Sequence, residues 1–206
     1  MIKHAGETSY KATSLGIIPR SQLVLLEIEG IKMAWDFILR KRNEGALPLT
    51  SEFIRQIHEV GFGWIFPKMG GKYRSVEVSV SHHIPPKFYL VPQLMTDFCG
   101  DICVRMKHLP NIEDEKFLAE LIDMLSWAHH RFSWIHPFQD YNGRVGRLLN
   151  NVALLNLDLP PIELKVDTVS GRRRYINALQ NADNHDYESL KKIIGVAIEE
   201  SVKELQ

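Results

Sequence analysis

Net charge is the first thing this chain lacks: 25 lysines and arginines stand against 25 aspartates and glutamates. With no global field of one sign, long-range attraction to nucleic acid or to an anionic bilayer is not expected. Cysteine is nearly missing as well, with only Cys99 and Cys103 in 206 residues. Four apart on a predicted helix, they are awkwardly placed for a disulfide and read as reduced core thiols. No apolar run approaches the roughly 20 residues needed to span a bilayer, and the amino end has no signal-peptide pattern. A soluble, cytoplasmic protein is the expectation. Internal repeats and low-complexity tracts are absent too. What remains is an ordinary 45% hydrophobic fraction, enough for one substantial core, and nothing requires a division of residues 1–206 into two domains.

The chemistry-bearing residues are concentrated in one dozen, His136-Pro137-Phe138-Gln139-Asp140-Tyr141-Asn142-Gly143-Arg144-Val145-Gly146-Arg147. Upstream, Leu118, Leu121, Ile122, Leu125, Phe132 and Ile135 recur at helical spacing, and Pro137 should end that helix because the residue before a proline is pushed out of the helical region. A second helical pattern begins at Val145 and continues through Leu148, Leu149, Val152 and Leu155. The polar stretch between is therefore a short loop feeding a helix N-terminus, where unpaired N–H groups and a positive dipole suit phosphate. Asn142 and Gly143 open that helix as an anion cradle. Arg144 and Arg147, three apart, are expected on one side of it as clamps for outer phosphates. Asp140 is placed to hold a magnesium ion that completes its shell from phosphate and water. His136 is the natural general base, since an imidazole titrates at about 6.5. Phe138 is expected to anchor the loop in the core.

This run resembles the signature of the Fic family (Fic/Doc superfamily), His-Pro-Phe-x-Asp/Glu-Gly-Asn-Gly-Arg-x-x-Arg. His136, Pro137, Phe138, Asp140, Asn142, Gly143, Arg144 and Arg147 match it. The resemblance implies an all-α Fic-fold helical bundle with a small β-hairpin flap. It also implies transfer of AMP from ATP, with Mg2+, to a Ser, Thr or Tyr hydroxyl of a target protein, self-modification included, with release of pyrophosphate. Tyr141 departs from the pattern, standing where most members carry glycine. A positive φ there would strain a tyrosine by roughly 1 kcal/mol, so the right-handed region is the expected conformation, with the side chain needing room.

Three further segments take roles from the same resemblance. Residues 21–45 read as a helix with Val24, Ile28, Ile31, Trp35 and Ile38 on one stripe. Its Leu25-Leu26-Glu27-Ile28-Glu29-Gly30 looks like the family's inhibitory helix, with Leu25 in place of the expected Ser/Thr. Glu29, in an apolar neighbourhood, would pair with Arg147 and deny the γ-phosphate its place; Glu27 is the control. Residues 62–90 form the flap region, in which Gly70-Gly71 signals a turn and Val76, Val78 and Val80 alternate like a strand; Lys72, Tyr73 and Arg74 would line up a target segment. Tyr175 is the candidate wall for the adenine. Residues 1–20 read as an irregular lead-in and 91–206 as the catalytic helical core, closed by a last helix.

His82-His83 and His129-His130 do not make a metallohydrolase, because adjacent helical histidines diverge by about 100° and no His-x-x-x-His pair occurs. Arg172-Arg173-Arg174 reads as a solvated turn. Three other activities compete with adenylylation: a silent nucleotide- or partner-binding module, a phosphotransferase and a de-AMPylase. Gly143 speaks against the phosphotransferase, whose known relatives carry lysine there. Oligomerisation stays open.

Overall fold

The computed structural model describes residues 9–80 and 83–204. Strands β1 (Tyr10–Thr13) and β2 (Gly16–Pro19) form an antiparallel hairpin that pairs Tyr10 with Pro19 and Thr13 with Gly16. Residues 9–19 are thus an ordered hairpin in place of the expected lead-in. Seven helices follow: α1 (Arg20–Glu44), α2 (Ser51–His58), α3 (Val91–Lys107), α4 (Phe117–Ile135), α5 (Asn142–Asn156), α6 (Val169–Asp183) and α7 (Glu188–Lys203). A wide π-turn at Glu59–Gly63 extends α2, and a single 3-10 turn at Phe88–Leu90 precedes α3. The all-α class read from the sequence is the one observed. No helix among the described residues is long and apolar enough to cross a membrane. Cys99 and Cys103 are both free thiols.

The centre of the bundle is α4, which buries Leu121, Met124, Leu125, Ala128, Phe132 and Ile135. Around it lie two apolar clusters. One joins α1, α2, α3 and α5 through Phe37, Phe53, Phe62, Phe98, Phe138 and Val145. The other joins α6 and α7 to α4 through Tyr175, Ala178, Leu190 and Ile194. Both helices of the signature region therefore sit between two packed layers, which fixes the loop joining them.

The buried face of α1 differs in register from the predicted stripe. Leu23, Glu27, Gly30, Ala34, Phe37 and Ile38 are buried, whereas Val24, Leu25 and Ile28 are exposed. A glutamate and a glycine in the middle of that face hide it from a count of apolar residues. Gly30 is there for space: a Cβ on it would lie 2.1 Å from the carbonyl oxygen of Gly61 in the π-turn. That close crossing carries Glu27, one turn earlier, in beneath α5.

Among its described residues the flap region contains no strand hairpin. The chain turns through residues 67–71, as Gly70-Gly71 predicted, but Val76 and Val78 pair with nothing in a sheet, and one bridge between Val80 and His83 is the β structure found among these described residues. The backbone bonds elsewhere: Arg74 N–H donates to the Pro137 carbonyl at 2.9 Å, so this stretch is laid along the signature loop. His82 lies outside the described residues.

Candidate active site

Helix α4 ends where Pro137 demands. Its last turn closes with His136 N–H on the Phe132 carbonyl, and His136 takes the left-handed conformation at φ 49, ψ 59. A non-glycine residue in that region is held there by its surroundings, and the holder is Arg74. Its guanidinium, fully buried, donates to the carbonyls of His136 (2.8 Å), Ile135 (3.3 Å), Val76 (3.4 Å) and Pro86, with Glu77 at 3.8 Å. Arg74 is therefore not a residue on the flap surface awaiting a target; it fastens the flap to the base. Lys72 is exposed, while Tyr73 is half-buried and packs its ring 5.8 Å from Phe138.

Burial pushes the His136 pKa down to about 4, reinforced by the nearby Arg74 and His83 and opposed by a backbone hydrogen bond with Ser133. The ring is neutral across the neutral range and free to accept a proton.

Phe138 anchors the loop as expected, with no exposed surface. Asn142 holds it: the side-chain oxygen accepts Phe138 N–H and the side-chain amide donates to the Phe138 carbonyl, both at 2.8 Å. The Asn142 side chain is thus committed to the loop, which leaves its backbone N–H as the group that can face an anion. A residue the sequence did not flag supports the same loop from below. His58, the last residue of α2, stacks on Phe138 at 3.9 Å, accepts Gly71 N–H at Nδ1 (3.1 Å) and donates from Nε2 to the Asp140 carbonyl (3.3 Å). That pattern requires the neutral ring with its proton on Nε2. Burial holds its pKa at about 4. A histidine in the otherwise apolar stripe Phe53, Ile54, Ile57, His58 was the available signal.

Tyr141 adopts φ 65, ψ 9, the left-handed region and not the right-handed one. What offsets the strain is visible in its contacts. The ring is 7% exposed and stacks on Phe62 at 4.0 Å and 8°. Its hydroxyl donates to Glu27 Oε1 at 3.0 Å. Burial and the Glu27 charge both raise the phenol pKa.

Helix α5 begins without a side-chain cap, and its first bonds are those from Arg144 and Val145 N–H to the Tyr141 carbonyl, at 3.0 Å each. The amides of Asn142 and Gly143 precede them, in the position from which a helix end receives an anion. The two arginines do not run side by side. Arg144 reaches back to Glu27, Nη2 to Oε2 at 2.7 Å, and its Nη1 is buried with no hydrogen-bond partner. Arg147 lies against Gly143, with Nη1 3.7 Å from where a Cβ would stand; it hydrogen-bonds the Tyr175 side chain, and its charge helps to lower the His129 pKa. Among the described residues Arg147 has no acidic partner within ion-pair distance.

Glu29 is exposed, and the pairing with Arg147 is not found. The buried carboxylate is Glu27, 1% exposed, which receives Arg20 at 2.8 Å, Arg144 and Tyr141. The reason is register: Glu27 falls on the inward stripe of α1 and Glu29 does not.

Tyr175 is 8% exposed, with its hydroxyl 2.8 Å from His129 Nε2. His129 Nδ1 faces the Gly146 carbonyl at 3.3 Å, so the imidazole accepts from the phenol. Tyr175 thereby braces α6 against α4 and α5 instead of forming an open wall for a base. A groove of about 660 Å³ between α6, α7 and residues 163–166 touches Tyr175 but no signature residue, so the chemistry lies elsewhere.

Asp140 is exposed, and one carboxylate oxygen accepts the Tyr141 N–H at 2.7 Å. No group of three or more His, Cys, Asp or Glu among the described residues is gathered to hold a metal. A single hard carboxylate beside an open helix end fits a magnesium ion that takes its remaining ligands from phosphate and water.

Comparison with known proteins agrees with this geometry. Residues 48–154 match the Fic/DOC family model. The protein named protein adenylyltransferase Fic of Aedes aegypti is 29% identical over 181 residues, 85% of this chain; the chain spans about a third, 33%, of that relative's length. Among solved structures, the N-terminal Fic domain of Bep8 from Bartonella sp. 1-1C superposes with a TM-score of 0.68 at 15% identity, covering 92% of this chain and 90% of that one. BepC from Bartonella tribocorum with bound AMPPNP gives 0.63 at 17% identity, covering 94% of each. The loop between α4 and α5, the fold that carries it and these likenesses lead to one assignment: the chain belongs to the Fic/DOC family.

Proposed function

We propose that this chain is a Fic adenylyltransferase domain that transfers AMP from ATP to a hydroxyl side chain of a protein. The observation that carries the reading is the adjacency of a neutral, backbone-fixed His136 to an uncapped helix start bearing Arg144 with an unpaired Nη1. A buried guanidinium donor without a partner calls for an acceptor, and a phosphate oxygen supplies one. The relative named protein adenylyltransferase Fic and the neighbour with AMPPNP support the same ligand class.

In this reaction the target hydroxyl oxygen forms a bond to the α-phosphorus, the bond from that phosphorus to the bridging oxygen breaks, and pyrophosphate leaves. The hydroxyl proton passes to the neutral ring of His136. The amides of Asn142 and Gly143 receive phosphate oxygens, and Arg144 and Arg147 approach the outer phosphates from different sides. A magnesium ion, when bound, would neutralise phosphate charge; Asp140 is the side chain to hold it. Lys72, at the exposed edge of the flap, is left to meet the target.

The test is intact-mass spectrometry after incubation with Mg2+-ATP, alone and with candidate acceptor proteins, for the wild type and His136→Ala. A gain of one AMP group that disappears in the variant is expected. A phosphate-sized gain instead would make the chain a phosphotransferase.

A further inference from the structure

We propose that Glu27 and Tyr141 form a positioning pair that holds Arg144 for the nucleotide with one guanidinium nitrogen committed and the other buried but unpaired. The proposal rests on the reading that Arg144 contacts phosphate, and it concerns what holds that contact in place. Glu27 lies on the inward face of α1 and Tyr141 opens α5, so the pair ties the amino-terminal helix to the phosphate end of the site.

Two contacts fix the guanidinium, and further bonds hold the carboxylate it meets. Glu27 Oε2 takes Nη2 at 2.7 Å. The Tyr141 ring lies 5.4 Å from the guanidinium carbon, within cation–π range. The Tyr141 hydroxyl, with Arg20, holds Glu27 Oε1, so the carboxylate cannot swing away from Arg144. Nη1 alone is buried and unpaired. A flexible arginine loses much side-chain entropy on gripping a ligand; one whose far nitrogen and ring face are already engaged has lost most of it beforehand. The geometry is that of a donor aimed in advance.

Tyr141 gives this arrangement its particular character. The family signature has glycine at this position, and glycine takes a positive φ at no steric cost. The tyrosine here keeps the left-handed backbone and adds what glycine lacks, a ring under Arg144 and a hydroxyl on Glu27. The stack on Phe62 locks that ring.

A brake makes the opposite demand of the same contacts: if Glu27 withheld Arg144 from phosphate, removing the carboxylate would tighten nucleotide binding. The deciding experiment is calorimetric titration of the chain with Mg2+-ATP for the wild type, Glu27→Gln, Tyr141→Phe, Arg144→Ala and each of the first two combined with Arg144→Ala. Positioning predicts that Glu27→Gln weakens binding by about tenfold and Tyr141→Phe by about threefold, and that neither weakens it further once Arg144 is gone. Tighter or unchanged binding in both variants, or the same losses without Arg144, overturns the pair. An unchanged affinity in Arg144→Ala overturns instead the phosphate role of Arg144. Tyr141→Phe keeps the stack and the fold, so the pair stays testable if Glu27→Gln does not fold. In turnover assays the effect falls on KM for ATP with kcat little changed, a split that a general loosening of the site does not produce.

Discussion

The two halves of the signature treat their polar groups in opposite ways. On the base side the groups that hold the loop are used: Arg74 spends its guanidinium on the carbonyls of Ile135, His136, Val76 and Pro86, Asn142 closes on both backbone groups of Phe138, and His58 uses both ring nitrogens. On the phosphate side α5 has no side-chain cap and Arg144 Nη1 has no partner. The saturated half is scaffold for one imidazole, and the unsaturated half is where the proposed nucleotide would be received. Residues of the same chemical type divide accordingly: Arg74 is tied to backbone carbonyls although it lies in the flap, and Arg144, the proposed phosphate contact, is half-engaged with Glu27.

Acid should attack the saturated half first. His58, His129 and His136 are each held at a pKa of about 4, all mainly by burial. Their folded pKa values lie below the ordinary value of about 6.5, so the unfolded chain binds more protons as the pH falls. Stability is full above pH 6.5 and declines as the pH drops from 6.5 towards 4. Between pH 8 and pH 5.5 each histidine accounts for a loss of about 1.4 kcal/mol, roughly 4 kcal/mol for the three. Urea unfolding at the two pH values measures it. A loss no larger than one histidine supplies would mean that these buried rings are open to water. Turnover should show no inflection at pH 6.5, because His136 stays neutral there.

Removing Arg74 tests the same half by mutation. Arg74→Ala strands the carbonyls it serves, and a loss of about 3 kcal/mol in chemical denaturation is expected. Arg74→Lys restores charge but not the fork, so it should recover only part of the loss. Arg144→Ala, by contrast, should cost less stability, because Arg20 and the Tyr141 hydroxyl still hold the buried Glu27, while weakening ATP binding. If both arginines cost stability alike, the division between the halves fails.

Tyr141→Gly sits on the boundary. It relieves about 1 kcal/mol of left-handed strain but removes a ring stacked on Phe62 and a hydroxyl on Glu27, and truncating a buried aromatic costs about 3 kcal/mol or more. A net loss of about 2 kcal/mol by thermal or urea unfolding is expected.

Much of this was legible in the chain. The end of α4 followed from Pro137, the anchoring of the loop by Phe138 from its apolar place in a polar run, and the all-α class from the resemblance to the Fic signature. What sequence could not supply was register and partnership. The inward face of α1 contains Glu27 and Gly30, residues that an apolar periodicity discards, yet each is there because of a contact on another element: Arg144 and Tyr141 for the first, the Gly61 carbonyl for the second. Val76, Val78 and Val80 alternate as a strand does, but the hydrogen bonds available to this stretch lie on the signature loop, so no sheet forms. Tyr141 was misread for a related reason. Its left-handed backbone is unfavourable locally and is supported by Phe62 and Glu27, both far away in sequence.

The smallest expected effect separates the two glutamates of α1. Glu29 is exposed and two residues from Glu27, so along a helix it points some 200° away from the buried carboxylate. Glu29→Ala should leave stability within about 0.5 kcal/mol and leave nucleotide turnover unchanged, since no ion pair or hydrogen bond of the site passes through it. Glu27→Ala removes the acceptor shared by Arg20, Arg144 and Tyr141 and should change both. Parallel measurement of turnover and urea unfolding for the two variants is the check. A several-fold rise in turnover on losing Glu29 would mean that α1 can rotate its outer face towards Arg147, and the Gly30–Gly61 crossing, too close for a methyl group, would then have to open.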